Sequence, residues 1–131
     1  MSSANVSEAE LLAALVLDKP DYPAASIDAS PNFGIRKDGK TPTYLILHYT
    51  GLATAQEAVD ILKSPEMEVS AHYLVHEDGR VVQMVSETAR AWRAGQSFWK
   101  GETDINSASI GIEILSPANL ENYPPLAARH I

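Results

Sequence analysis

The chain has 131 residues, is 45% hydrophobic and 21% charged, contains no cysteine and carries a formal net charge of −7. This length and composition fit one globular domain with its own core. The acidity disfavours binding to nucleic acid or to an anionic membrane surface, because both need clustered Lys and Arg. Without cysteine, neither a disulfide framework nor a thiolate metal site can form, so any transition-metal site must use His with Asp or Glu.

The first predicted element is a short helix near the amino terminus. Ser7 followed three residues later by Glu10 is typical of a capping box, and helical spacing continues through Leu15. Residues 19–43 are rich in Pro, Asp, Ser and Gly, which predicts an irregular arm. The amino terminus lacks the basic start of a signal peptide, and no apolar stretch is long enough to span a bilayer, so we predict a cytoplasmic protein.

A strand and then a helix are predicted next. Residues 43–49 form a near-continuous apolar and aromatic run, typical of a strand that is buried on both faces, and we predict the central strand here. Thr54 and Glu57 repeat the capping-box spacing, and Pro65 ends the helical pattern that follows them.

Three further strands complete the predicted sheet. Residues 71–76 and 80–85 are strand-like, and the intervening Glu-Asp-Gly contains an Asp-Gly pair that strongly favours a hairpin. Residues 87–109 are predicted to be mostly loop, and residues 110–115 supply the last strand. These elements predict an α/β or α+β domain with a mixed central β-sheet flanked by helices.

Two polar side chains within the predicted strands could carry chemistry. His48 lies near the carboxyl end of its strand, where α/β sheets place ligands, although a lone His in a strand is more often a hydrogen-bonded structural residue. Glu113 interrupts a run of isoleucines, so it is either paired or ligated inside the protein or turned to solvent by strand alternation. Trp92, Phe98 and Trp99 either line a groove for a sugar or peptide or fold back onto the core.

Four linked motifs extend this pattern along the chain. They are Tyr-Leu-Ile-Leu-His-Tyr-Thr at residues 44–50, Val-Ser-Ala-His-Tyr-Leu-Val at 69–75, Ala-Trp-Arg-Ala-Gly at 91–95 and Asn-Ser-Ala-Ser-Ile-Gly-Ile-Glu-Ile at 106–114. In this order and spacing they resemble the type 2 N-acetylmuramoyl-L-alanine amidases. The resemblance divides the chain into residues 1–29, an N-terminal helix and irregular arm, and residues 30–131, an amidase domain that lacks its C-terminal part.

The resemblance implies a zinc-dependent hydrolase that cleaves the amide between N-acetylmuramic acid and L-alanine in peptidoglycan or muropeptides. In that family two His and one Asp hold Zn²⁺, and an acidic residue activates water. Carried over to this chain, His48 is the first zinc ligand, Glu113 is the catalytic acid/base, and His72 is structural.

The resemblance also implies four residues that contact the substrate. Tyr49 and Thr50, which directly follow the zinc ligand, would line the cleft, and Trp92 and Asn106 would shape the wall beside it. Arg93 stands where many relatives have His, which alters one polar group near the cleft.

The remaining zinc ligands of that family follow the Glu113 strand, beyond a helix and on a later loop. His130 comes 17 positions after Glu113, which is too few for that helix and loop. We therefore expect the 131-residue chain to bind zinc weakly and to hydrolyse muropeptides slowly or not at all. We also expect exposed apolar sheet surface around Leu45, Leu47 and Ile112, which would favour self-association.

Two other functions are compatible with the sequence. A module that binds muropeptide without cleaving it would need no complete metal site, and zinc content distinguishes it from an amidase. A glycosidase could pair Glu113 with an Asp such as Asp104, if their carboxyl groups lie about 5 to 9 Å apart. A glycosidase would release a reducing sugar, whereas an amidase would release an L-alanine amino terminus.

Overall fold

The computed structural model describes residues 7–52, 54–92 and 104–116 of the chain. These residues form two α-helices, seven strands and two short 3₁₀ segments. In chain order the α-helices and strands are α1 Glu8–Ala14, β1 Ser26–Ile27, β2 Phe33–Gly34, β3 Tyr44–Tyr49, α2 Ala55–Lys63, β4 Tyr73–Val75, β5 Val81–Gln83, β6 Arg90–Ala91 and β7 Ser109–Ile114.

Five of these strands form one mixed sheet, which confirms the predicted architecture. Their order is β1-β5-β4-β7-β3; β3, β7 and β4 are parallel to one another, β5 is antiparallel to β4, and β1 is parallel to β5. The other two strands, β2 and β6, form a separate antiparallel pair. Helix α2 packs against the large sheet through Ala58 and Leu62, which join Leu74, Val82 and Met84 in the main core cluster.

The local sequence signals for helices and turns are confirmed. Ser7 and Glu10 form a capping box at α1, where the side-chain oxygen of each accepts the backbone N–H of the other at 3.1 Å. Thr54 and Glu57 form the same motif at α2, at 3.1 and 3.2 Å. Gly79, with a φ of 92°, lies in the turn between β4 and β5, and such a φ is readily adopted only by glycine.

The prediction that residues 43–49 form the central strand is wrong in one respect. Strand β3 is an outer strand of the described sheet. Ile46 is buried, but Leu45 and Leu47 on the opposite face are 62% and 48% exposed. A short apolar run does not reveal how many of its faces are covered.

The predicted exposure is thus confirmed for Leu45 and Leu47, while Ile112 is half-buried. Self-association through this surface stays a prediction, which sedimentation at several protein concentrations would test.

The interpretation of residues 19–43 as wholly irregular is also wrong, because the segment contains β1 and β2. Strand β1 pairs with the outer edge of β5. The N–H of Asp28 continues this contact by donating to the carbonyl of Gln83 at 3.0 Å, and the N–H of Ser30 donates to that of Met84 at 2.8 Å. The arm therefore completes one edge of the sheet, which its local sequence does not reveal.

Asn32 connects the arm to the carboxyl end of α2. Its side chain is buried, and Nδ2 donates to the carbonyls of Ser64 and Val69 at 2.9 and 2.8 Å. Carbonyls at the end of a helix have no partner within the helix. Asn32 satisfies one such group, at the C-cap Ser64, and also bonds to Val69 in the segment before β4, so it holds the end of α2 at its position on the sheet.

Replacing Asn32 with Ala is expected to lower the free energy of unfolding by about 1–3 kcal/mol, because buried carbonyls lose their donor. Denaturant unfolding measures this loss. Gln56→Ala is the matched control, since it removes an exposed hydrogen bond to Asp60 on the same helix and should change stability by less than about 0.5 kcal/mol. Equal losses in the two variants would contradict the role given to Asn32.

Several predictions concern residues outside the described ranges. They are those for Arg93, Phe98, Trp99 and His130. The division of the chain before residue 30 stays a prediction. In the part of the chain that is described, neither helix has the length and apolar character needed to cross a bilayer.

Candidate active site

His48 and Glu113 are direct neighbours across two parallel strands. They are opposite one another in the register of β3 and β7, so their side chains project from the same face of the sheet. His48 Nδ1 lies 4.0 Å from Glu113 Oε2, and the two side chains are 14% and 19% exposed. This separation is longer than a hydrogen bond, but both groups can act on one atom placed between them.

Both side chains open into one cleft of about 270 Å³. Its described lining combines the polar groups of two strands with apolar side chains from α2 and from the segments after β3 and before β4. The lining residues are His48, Thr50, Leu52, Ala58, Ile61, Leu62, Val69, Ser70 and Glu113. The structure therefore brings the expected zinc ligand, His48, and the expected acid/base, Glu113, together in one cleft.

The row of the sheet that carries these two residues also carries part of the core. In the registers of adjacent strands, His48 is opposite Glu113, Glu113 is opposite Leu74, and Leu74 is opposite Val82. All four side chains therefore point to the face that α2 covers. The apolar pair packs under the helix, and the polar pair on β3 and β7 lines the cleft beside it.

One family pattern matches most of the chain. The pattern described as N-acetylmuramoyl-L-alanine amidase matches residues 38–130. The chain belongs to the N-acetylmuramoyl-L-alanine amidase family. The matched region includes α2, β3 to β7 and every described residue that lines the cleft.

Named amidases are among its relatives. The chain is 34% identical over 102 residues to the 1,6-anhydro-N-acetylmuramyl-L-alanine amidase AmpD of Escherichia coli (strain K12), covering 65% of this chain and 56% of the relative. It is 31% identical over 117 residues to the AmpD protein of Citrobacter freundii, covering 76% and 63%. A crystal structure of a Se-Met AmpD derivative matches with a TM-score of 0.66 at 30% identity, covering 76% of this chain and 65% of that one. The chain thus spans little more than half the length of the curated relatives that it matches.

The fold separates the two residues that follow His48 in this amidase domain. Thr50 lines the cleft, and its Oγ1 accepts the N–H groups of Leu52 and Ser116, each at 3.3 Å. Tyr49 is the next residue after His48 on β3 and therefore projects from the opposite face. Of the two, the structure brings only Thr50 to the described lining of the cleft.

The other two residues predicted to contact substrate lie farther from the cleft lining. The Trp92 N–H donates to Ser70 Oγ at 2.9 Å, so Trp92 is bonded to a cleft residue without being part of the described lining. Asn106 lies in the 3₁₀ segment before β7, where its carbonyl accepts from Arg36 Nη1 at 3.3 Å. That is the amino end of β7, whereas Glu113 is near the carboxyl end. The fold therefore does not bring Asn106 to the described cleft.

Much of the cleft wall was not identified from the sequence. Leu52, Ile61, Leu62, Val69 and Ser70 all line it. The apolar spacing of α2 indicated that the helix would pack on the sheet, but not that its exposed margin would border a cleft. Ser70 lies within a motif that indicated the family, yet no local pattern assigns its hydroxyl to this site.

Asp104, the proposed second carboxylate of a glycosidase, is held at the other end of β7. Arg90 Nη2 donates to its Oδ1 at 2.9 Å, and the Ser107 hydroxyl donates to its Oδ2 at 2.8 Å. Burial acts to raise the pKa of Asp104, but these hydrogen bonds and the charges of Arg90 and Lys37 outweigh burial and lower it. Asp104 thus forms an ion pair away from Glu113, and the described cleft lacks the carboxylate pair that a glycosidase needs.

Asp104→Asn is expected to destabilise the fold in a pH-dependent manner. The lowered pKa of Asp104 means that its stabilising effect is present above the ordinary Asp value and is lost as the pH falls through the folded-state value. At pH 7 we expect a loss of about 1.5–3 kcal/mol, which is typical of hydrogen bonds to charged groups, and a smaller loss below about pH 4. Unfolding of both proteins across this pH range measures it, with exposed Asp60→Asn as the control. A pH-independent loss would contradict the ionic role.

The described residues can supply part of a zinc site. Imidazole is a common zinc ligand, and His48 places one at the cleft, beside the carboxylate of Glu113. No group of three His, Asp or Glu side chains suited to a metal ion occurs within residues 7–52, 54–92 and 104–116. Their donor chemistry therefore fits zinc, but they do not by themselves provide the three protein ligands that a catalytic zinc ion normally has.

Proposed function

We propose that this chain contributes His48 and Glu113 to the active site of an amidase that hydrolyses the bond between N-acetylmuramic acid and L-alanine. The observation that carries the proposal is the placement of these two groups 4.0 Å apart in one cleft, within a domain of the amidase family. The names of the relatives favour 1,6-anhydro-N-acetylmuramyl peptides as the first substrates to test. A cytoplasmic location stays a prediction.

In this proposal His48 is a zinc ligand and Glu113 is the general acid/base. When bound, zinc supplies Lewis acidity to the scissile carbonyl. Glu113 takes a proton from the attacking water and transfers a proton to the leaving amine of L-alanine, so that the carboxylate is restored at the end of the cycle. Because β7 pairs with β3 on one side and β4 on the other, the backbone of Glu113 is held rigidly relative to His48.

The walls of the cleft suit the proposed substrate. Apolar side chains from α2 and its neighbouring segments, such as Leu52, Ile61 and Val69, reduce water access to the reacting amide. The hydroxyls of Thr50 and Ser70 lie among them and bond to neighbouring backbone groups, so they fix the shape of the wall. Substrate contacts by Tyr49, Trp92 and Asn106 stay predictions, and those by Tyr49 and Asn106 would require substrate beyond the described cleft.

The second candidate is a domain that binds muropeptide without cleaving it. One observation favours it: apolar side chains make up most of the described cleft lining, and such a surface can hold a peptide whether or not it is cleaved. In such a domain the cleft would retain its polar and apolar lining, but water would not be activated for attack.

Product analysis distinguishes the two candidates. The purified chain is incubated with excess zinc and a 1,6-anhydro-N-acetylmuramyl peptide that carries a second, glycosidically linked sugar, and the expected product is a peptide with a new L-alanine amino terminus. Release should be slow and should stop when a chelator removes zinc. Saturable binding of the muropeptide without any release would favour the binding domain instead. A new reducing sugar would contradict both candidates and indicate glycosidase chemistry.

A further inference from the structure

Strand β7 extends beyond the strand that pairs with it on one side. The pairing of β4 with β7 begins with Tyr73 opposite Ile112, whereas β7 itself begins at Ser109. Residues 109–111 therefore precede the first β4 pair on that side of the described sheet. Buried backbone N–H and carbonyl groups must still be satisfied there, and two buried side chains, His72 and Arg36, meet this need.

His72 bonds to both backbone groups of Gly111. Its own N–H donates to the Gly111 carbonyl at 2.9 Å, and its Nδ1 accepts the Gly111 N–H at 3.0 Å. Because Nδ1 accepts a backbone N–H, the ring proton must be on Nε2, which lies 2.8 Å from the carbonyl of Ala89. The imidazole thus accepts a strand N–H as a backbone carbonyl would. The hydrogen bonding between the β4 side and β7 therefore continues to Gly111.

Arg36 donates hydrogen bonds to backbone carbonyls that precede Gly111 in the chain. Its side chain is buried, and Nη1 donates to the carbonyls of Ser107 and Ser109 at 2.8 and 3.0 Å. Nη2 donates to the carbonyl of Glu87 at 2.8 Å and lies 3.3 Å from Nε2 of His72. One guanidinium therefore joins the amino end of β7 to the loop after β5 and contacts the imidazole.

We propose that His72 and Arg36 are positioning residues that hold β7 so that Glu113 stays opposite His48. Gly111 is two residues before Glu113 on the same face of the strand, so movement of β7 at Gly111 would change the 4.0 Å separation of the two cleft groups. The catalytic consequence rests on the proposed role of Glu113. The hydrogen-bond arrangement does not, and it can be tested without turnover.

The imidazole allows a matched pair of variants. In His72→Asn, the amide oxygen can occupy the place of Nδ1 and accept the Gly111 N–H, whereas in His72→Gln the longer amide reaches the place of Nε2 and can donate to Ala89. Amide hydrogen exchange at Gly111 is expected to be about 5- to 10-fold faster in His72→Gln than in the native chain, and close to native in His72→Asn. The nuclear Overhauser contact between the His48 ring and the Glu113 side chain should weaken only in His72→Gln.

Denaturant unfolding of both variants separates this local effect from a general loss of fold. Equal Gly111 exchange in the two variants at matched stability would overturn the proposal. If neither variant folds, the native chain decides: a scalar coupling between the Gly111 amide nitrogen and His72 Nδ1 is expected, and its absence would overturn the arrangement.

If amidase activity is established, His72→Gln should lower kcat more than it changes KM. Loss of the coupling with retained activity would show that Glu113 is positioned by other contacts.

Discussion

Glu113→Gln is expected to lower the rate of muropeptide hydrolysis by a factor of about 10² to 10⁴, which is the usual contribution of general acid–base catalysis. The amide keeps the size and shape of the carboxylate but has no proton-accepting oxygen of comparable basicity. Substrate binding and the fold should change little, because the amide is of the same size and the side chain lines the cleft without belonging to the main core cluster. Steady-state release of the L-alanyl peptide measures the effect, in a longer version of the protein that supplies all three zinc ligands and keeps its zinc when Glu113 is replaced.

Glu77→Gln provides the control for this substitution. Glu77 is exposed in the turn between β4 and β5, so its replacement makes the same change in charge and shape at a distance from the cleft. Its rate should remain near the native value. Near-native turnover in Glu113→Gln as well would assign the general base to another residue.

His48→Ala is expected to lower zinc affinity by more than the roughly 10- to 100-fold that is typical of losing an outer-shell partner, because the proposed role of His48 is direct ligation. Removal of one ligand from a catalytic zinc site also removes the geometry that activates the substrate, so turnover should fall to background. Zinc titration of the metal-depleted chain and metal analysis after dialysis measure the two effects. Folding is monitored in parallel by circular dichroism.

His76→Ala is the control for His48→Ala. It also removes an imidazole, but one that is not expected to bind zinc. His76 lies just after β4, and its ring is 3.4 Å from Arg80 Nη2 in the hairpin. This variant should bind zinc as the native chain does. If His48→Ala retains native zinc affinity, the metal is held by residues other than His48, and the assignment of the cleft as a zinc site fails.

The sequence alone determined the features that depend on contacts within a few residues. The capping boxes of Ser7 with Glu10 and of Thr54 with Glu57 each require only a single turn of chain, and the turn at Gly79 requires one residue with positive φ. These features formed where they were predicted because their stabilising hydrogen bonds are local. The four motifs also indicated the family, since their order and spacing reflect the whole domain.

Tertiary structure alone decided which residues share a site. The register of β3 with β7 places His48 beside Glu113, whereas strand alternation turns Tyr49 away and the length of β7 places Asn106 at the opposite end. The same long-range pairing makes β3 an outer strand of the sheet that residues 7–52, 54–92 and 104–116 form, and it uses His72 to bond to Gly111 of β7. Such outcomes depend on which strands become neighbours and in which register. A linear pattern of apolar residues does not specify that choice, because one pattern is compatible with several strand orders.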